Sequence, residues 1–312
     1  MREFPPVFLD RLRQVTPLVT CGEFRCTPAH SRFEDSGPIR QDCFVFPRLA
    51  VAIAHERERR FVANPNVVTF YNTGQAYRRL AISPLGDHCD WFAVDRQVVG
   101  DIVEAAGGNS EASRGPFRWV RGPADAAVYL AQRELVDALA DGRVTHAADV
   151  EERVIHLLDR VVRRALRPTG VSAKAPGSEA RAAVDRVEAI LSARWREPLS
   201  LRDLAREAGV SVFHLCRAFR TCTGRPMYQY RQQLRLRSAL DLVRDTTRPL
   251  VDIALDAGFS SHSHFTASFR RAFGVTPQWL RRTGPAAGAT AGRCRVAEVA
   301  QTFRPARPPR QG

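Results

Sequence analysis

The chain has no apolar run of the ~18 residues needed to cross a bilayer, and its opening Met-Arg-Glu-Phe-Pro-Pro lacks the apolar stretch of a secretory signal. A membrane-spanning or secreted protein is therefore not expected, and a cytoplasmic one is. Lysine is nearly absent: Lys174 is the sole lysine among 47 basic residues, a bias given no functional weight. The seven cysteines (Cys21, Cys26, Cys43, Cys89, Cys216, Cys222, Cys294) are an odd, scattered set, which reads as reduced thiols and not as a disulfide framework. Acidic residues thin out toward the C-terminal end. Residues 1–178 carry 24 basic and 22 acidic side chains, 179–282 carry 18 and 10, and 283–312 carry 5 and 1, so most of the net +14 lies in the last two-fifths. Such asymmetry points to a polyanionic partner, nucleic acid first; a merely soluble basic surface is the other reading.

What is present is enough for more than one core. A hydrophobic fraction of 44% over 312 residues excludes a wholly disordered chain and suggests two or three domains. Short runs rich in β-branched and aromatic residues (Cys43–Phe46, Leu49–Ile53, Val67–Tyr71, Trp91–Val94) lie between turn signals such as Asn64-Pro65-Asn66 and Asn72-Thr73-Gly74. They predict a small β-barrel or sandwich over 1–105. Helical spacing follows over about 123–141 and 149–167. In the second stretch Val150, Val154, Leu158, Val161 and Ala165 form one apolar face, suited either to the core or to a second copy of the chain. Residues 106–168 are thus expected to be a helical connecting or dimerising region, 169–179 a linker rich in Pro, Gly and Ser, and 283–312 a disordered basic tail.

The segment 180–282 contains an internal repeat. Leu201–Val210 matches Leu250–Phe259, with Asp203, Ala205, Ala208 and Gly209 recurring 49 residues on; Ser211, Phe219, Arg220 and Gly224 recur at an offset of 50. Each copy has the logic of a helix-turn-helix. A small alanine permits a close helix crossing, and a glycine ends the first helix where positive φ is easily reached. A serine then caps the second helix, and apolar residues four apart line that helix's inner face. Between the copies nothing breaks Pro226 to Arg244. As one helix it would span roughly 28 Å, a rod able to hold two recognition helices about one DNA turn, roughly 34 Å, apart.

About residues 182–282 the chain resembles the AraC/XylS family of bacterial transcription regulators. The resemblance begins with a leading helix (Val184, Val187, Ile190, Leu191, Trp195). It continues through PLSLRDLAREAGVSVFHLCRAFRTCTGRPMYQY and ends with DIALDAGFSSHSHFTASFRRAFGVTPQWLRR. It implies a regulator, usually an activator and sometimes a repressor, that binds double-stranded promoter DNA through both units in adjacent major grooves and acts on RNA polymerase. It also implies a cupin-like N-terminal domain that binds a small effector and forms a homodimer; PNVVTFYNTGQAYRR looks like a strand pair of such a domain. The fold expected is therefore α+β and multidomain: a cupin-like barrel or sandwich, a helical connector and an all-α double helix-turn-helix. Carried over position by position, Phe213, Cys216 and Arg217 should face bases and Arg220 phosphate. In the second unit His262 and Ser263 should face bases, with Arg270 and Arg271 near the backbone. Ser211 and Ser261, at the leading ends of the two helices, complete the set. Ala267 and Cys216 depart from the long polar residues common at those positions, so the second unit is expected to read sequence weakly.

Cys21, Cys26 and His30, with His88-Cys89 farther on, raise an alternative, a zinc-held thiol that senses or accepts alkyl groups and switches the DNA-binding part. A second alternative is an architectural binder without sequence preference. A metallo-cupin site is unsupported, because the His-x-His pair His262/His264 lies in the DNA-binding segment. The expectation is no catalysis, no cofactor and no metal. His55, beside the charge run from Glu56 to Arg60, is expected on a solvated hairpin.

Overall fold

The computed structural model describes residues 7–35, 37–55, 59–109, 115–167 and 177–284. Of the linker expected over 169–179, residues 169–176 fall outside the described residues, and Ser178 and Glu179 already belong to a helix; of the tail expected over 283–312, residues 285–312 fall outside them, and Thr283 ends a helix. The chain divides into two compact units, Met1–Arg237 and Ser238–Gly312. In the first, among the described residues, eight strands come before any helix: β1 (Phe8–Val15), β2 (Val19–Cys26), β3 (Cys43–Pro47), β4 (Val51–His55), β5 (Phe61–Ala63), β6 (Val67–Tyr71), β7 (Tyr77–Ala81) and β8 (Asp87–Val94). Helix α1 (Arg96–Ala105), strand β9 (Arg121–Pro123) and helices α2 (Ala126–Ala140) and α3 (Ala147–Leu166) follow.

Among the described residues all strand pairs are antiparallel. They form a six-stranded sheet in the order β1-β2-β8-β3-β6-β9 and a three-stranded sheet in the order β5-β4-β7. Strand alternation sorts the side chains. One face of the larger sheet sends Phe24, Cys26, Cys43, Val45, Tyr71, Cys89 and Ala93 into a core shared with Val51, Ile53, Phe61 and Ala63 of the smaller one. The opposite face presents Phe44, Phe46 and Phe92, all fully buried, with the Phe44 and Phe92 rings stacked at 5.3 Å. Helix α3 packs against β9, α1 and α2, and its stripe of Val150, Val154, Leu158 and Val161 is buried within the chain, which decides for the core and against a copy-to-copy seam.

Several expectations change. Among the described residues the strands make two sheets and no closed barrel. The segment from Val67 to Ala81 is not a paired hairpin: β6 pairs β3 and β9, whereas β7 pairs β4. The turn through Gly74, at φ +81°, carries the chain from one sheet to the other. Helix α1, capped by Asp95 accepting from the Gln97 and Val98 amides, was not legible among the strand signals. Strand β9 completes the larger sheet from a region whose pattern reads as helical. His55 is buried among the rings of Phe61, Tyr71 and Tyr77, not solvated, because β4 turns it into the space between sheets.

The cysteine-histidine cluster does not assemble. Cys21 and Cys26 are five apart on β2 and so face opposite sides of the sheet, while His30 stacks on Phe8. Burial pushes the Cys21 thiol up to about 12 and raises Cys26 as well, which keeps both protonated and poorly nucleophilic. Among the described residues no three His, Cys, Asp or Glu side chains are grouped to hold a metal, and no helix is long and apolar enough to cross a membrane.

The face of the larger sheet that presents Phe44, Phe46 and Phe92 also carries charge. Glu23, almost fully buried, pairs with Arg13, with Arg25 at 2.7 Å and with His88 at 3.2 Å. Burial alone would raise its pKa, but the His88 hydrogen bond and the Arg25 and Arg13 charges outweigh that and hold it well below the ordinary 4.5. A folded-state pKa below the unfolded value contributes stability above pH 4.5 that disappears as pH falls. Glu23→Gln is therefore expected to cost about 3 kcal/mol at pH 7. Urea midpoints measured against pH should also show a shallower loss of stability below pH 4.5 in the variant than in the wild type.

Candidate nucleic-acid interface

Two structural copies of one motif each carry exposed basic side chains. The first is built on α4 (Ser178–Ala193), α5 (Leu201–Ala208) and α6 (Val212–Thr223). Ser200 caps α5 by accepting from the Asp203 amide at 3.1 Å. Gly209 ends the helix in the left-handed region at φ +71°, and the Val210 amide closes back on the Ala205 carbonyl. Ser211 then caps α6, accepting from the His214 amide at 3.2 Å. Leu215 and Phe219 are fully buried against Leu204, Ala205, Ala208, Val184, Val187 and Leu191.

The second copy consists of α8 (Leu250–Asp256), α9 (His262–Phe273) and α10 (Pro277–Thr283). Gly258 takes φ +76° and Ser261 accepts from the His264 amide at 3.1 Å. Phe259, Phe265, Phe269 and Phe273 form a chain of ring contacts with centroids 4.6–5.4 Å apart. Helix α7 (Met227–Asp245) is unbroken, as the absence of any breaker predicts. Its first half, with Met227, Tyr230 and Leu234, belongs to the first core. Its second half buries Ala239, Leu240 and Val243 in the second unit, where Arg281 of α10 donates to the Val243 and Arg248 carbonyls.

Once the inner face of each recognition helix is committed to the core, the 3.6-residue period dictates what faces out. On α6 these are Phe213, 69% exposed, with His214, Arg217 and Arg220. Cys216 is half-buried against the first core, at the flank of that face. On α9 the outer face presents His262, Ser263, Ala267, Arg270 and Arg271, with the two arginines in the last turn. Ser211 and Ser261 stand exposed at the leading ends. Several exposed arginines sit on carboxylates, as Arg153 does on Asp149 and Arg206 on Asp203, each at 2.7 Å. Among the described residues Arg217, Arg220, Arg270 and Arg271 have no such partner. They are cations left available on both recognition helices.

Sequence reasoning passed over one matched pair. His214 and His264 lie 50 residues apart, the offset of the repeat itself, and both imidazoles are exposed at the leading ends of their helices. His214 Nδ1 lies 2.8 Å from Ser211 Oγ, and His264 Nδ1 lies 3.3 Å from Ser260 Oγ. The repeat was the signal that could have found them.

A family described as a helix-turn-helix domain matches residues 204–283. The regulatory protein SoxS of Salmonella typhimurium is 41% identical over 85 residues, which cover 27% of this chain and 79% of that protein. The right origin-binding protein of Escherichia coli is 40% identical over 87 residues, 28% of this chain, and the match spans only 30% of that relative's length. A transcriptional regulator structure from Chromobacterium violaceum, described as having an AraC-type DNA-binding domain, is 33% identical and covers 34% of this chain and 96% of its own, with a TM-score of 0.32.

Ser211→Ala and Ser261→Ala each remove an N-cap and are expected to cost about 1 kcal/mol, whereas Phe269→Ala empties the second core and should cost about 4 kcal/mol. Urea unfolding followed by circular dichroism provides the check, and a cost near zero for both serine variants would mean that the caps do not hold the helices.

Proposed function

The chain belongs to the AraC/XylS family of transcription regulators, and from that premise we propose that it is a sequence-specific DNA-binding regulator whose two recognition helices, α6 and α9, each enter a major groove. The observation that carries this reading is the duplicated motif with unpaired arginines on both outward faces. Arg217, in mid-helix on α6, is placed to make a paired hydrogen bond to a guanine edge, worth about 1–3 kcal/mol of discrimination. Phe213 adds apolar contact beside it, and Cys216 reaches bases only from the flank. Arg220, Arg270 and Arg271, toward the helix ends, meet phosphate. Ser211, Ser261, His262 and Ser263 contact the DNA at the leading ends. With Ala267 where a long side chain would read a base, the second unit relies on phosphate contacts and DNA shape. The N-terminal region over 1–105 is the cupin-like sensor for a small effector, 106–168 its connecting region and 180–282 the DNA reader, with homodimerisation and contact with RNA polymerase as further parts of the proposal.

Selection from random duplex DNA with the full-length chain tests specificity and should return a motif; recovery of no motif would favour an architectural binder instead. On the selected site Arg217→Ala should lower specific affinity more than Arg271→Ala does, and equal losses would argue against base reading by Arg217. Neutralising about six to eight phosphates predicts a slope of log affinity against log salt near −5 to −7, and a flat dependence would contradict the proposal.

A further inference from the structure

The repeat extends beyond the two helices of each motif. Arg231 is the fifth residue of α7 and Arg281 the fifth of α10, the helices that follow α6 and α9, and the two lie 50 residues apart. Arg231 donates through Nη1 to the Leu199 carbonyl at 3.2 Å and through Nη2 to the Glu197 carbonyl. Arg281 donates through Nη1 to the Arg248 carbonyl and through Nε to the Val243 carbonyl at 3.4 Å. Leu199 and Arg248 each stand one residue ahead of the N-cap of a motif's first helix, Ser200 of α5 and Pro249 of α8. They lie 49 residues apart, the offset of the repeat ahead of its one-residue insertion. Both readers are therefore closed in the same way.

Each arginine joins the two neighbours of a recognition helix. On one side α6 packs on α5, and α9 on α8. On the other, the Tyr230 ring of α7 meets Phe219 of α6 at 5.3 Å, and the fully buried Leu280 belongs to α10, which packs on α9. The Ser200 and Pro249 carbonyls accept from the Leu204 and Ile253 amides, so the carbonyl before each has no donor within its own helix. A guanidinium suits that need, because its planar fork offers several N–H groups at fixed angles. Both arginines are half-buried, and burial lowers the pKa of each. Their hydrogen bonds stay within one compact unit, the first for Arg231 and the second for Arg281. Spent on backbone carbonyls, they stand apart from Arg217, Arg220, Arg270 and Arg271, the cations left for DNA.

We propose that Arg231 and Arg281 are positioning residues for DNA reading: each ties the first helix of its motif to the helix after the recognition helix, and so fixes the recognition helix without touching DNA. The inference rests on the DNA-binding reading above. The apolar anchors stop α6 and α9 from rotating about their own axes, but tilt is left to the flanking helices. A side chain that reads a base edge must be held to within about 0.5 Å. Helices α5 and α8, of eight and seven residues, are too short to hold that placement by themselves. With the flanks tied, tilt breaks half-buried hydrogen bonds to a charged group, which are stronger than neutral ones.

The test uses the full-length chain and the site returned by selection from random duplex DNA. Arg231→Ala, Arg281→Ala and the corresponding lysine variants are titrated on that site and on random duplex over a range of salt. Thermal melting is measured alongside, and Arg271→Ala serves as the reference. Well below its melting temperature each alanine variant is expected to bind the selected site about tenfold more weakly, within the range that one well-made base contact supplies. Binding to random duplex should stay at the wild-type level. The slope of log affinity against log salt should also hold its wild-type value, because no phosphate contact is lost, whereas Arg271→Ala reduces it by about 1. Lysine keeps the charge and loses the fork, so the lysine variants should also fall short of wild type on the selected site, and they carry the test if an alanine variant does not fold. Wild-type affinity in folded variants overturns the positioning role and leaves the regulator reading intact. An equal loss on both DNAs with a reduced slope overturns it too, since the arginines would then be phosphate contacts. A wild type that returns no motif removes the sequence-specific reading and this inference with it.

Discussion

Everything exposed on the two recognition helices is decided by what those helices bury. Leu215 and Phe219 on α6, and Phe265 and Phe269 on α9, sit four residues apart and are wholly removed from water. Fully burying such side chains stabilises by about 1.5–3 kcal/mol each, far more than a surface ion pair contributes. Rotation of either helix about its axis would expose one of these pairs, so the apolar anchors hold the register. Arg217 on α6 and Ser263 on α9 face outward because the helical period leaves them no other direction.

The left-handed glycines and the serine caps serve the same end from the chain side. Gly209 and Gly258 let the first helix of each motif stop within one residue, and Ser211 and Ser261 let the next begin immediately after. The short turn sets the crossing, and the small Ala205 and Ala254, both buried, let the helices approach. Charge is then added only on the face that packing leaves free. The two readers are nevertheless unequal. Helix α6 carries Phe213 and Arg217 on its outer face, whereas α9 places its arginines in the last turn and offers small or imidazole side chains ahead of them. In the proposed function, specificity is accordingly concentrated in the first unit and general affinity shared by both.

In the N-terminal region polar burial matters as much as apolar burial. Asp90 pairs with Arg133 under α2, Arg79 with Asp87 between the sheets, and Glu23 with its three basic neighbours on the opposite face. These pairs impose geometry because an unmatched partner would be a bare buried charge. The Asn64–Tyr230–Glu188 cluster uses the same chemistry at the place where the two-sheet part meets the first reader. Thiols in this region are buried and protonated, which leaves the zinc or alkyl-acceptor alternative without a nucleophile at Cys21 or Cys26.

The C-terminal half was legible from the residues alone because its structure rests on local rules. Helix period, glycine stops, serine caps and a breaker-free α7 all act within a few residues of one another, and duplication made the pattern plain. The residues expected to face DNA on α6 and α9 came instead from the family resemblance, and one of them, Cys216, is half-buried against the first core. The N-terminal half was legible only as strands. Which strands pair is a long-range matter: β2 meets β8 across some sixty residues, and β6 and β7, neighbours in sequence, belong to different sheets. That partition put His55 among aromatic rings and Cys21 and Cys26 on opposite faces. Likewise, Asn64-Pro65-Asn66 announced a turn, but no local signal told that α4 and α7 would cover it. Sequence determined the readers, since their hydrogen bonds and apolar contacts close within each motif; tertiary structure decided the sheets and the buried polar contacts, because partners far apart in the chain must meet before either is satisfied.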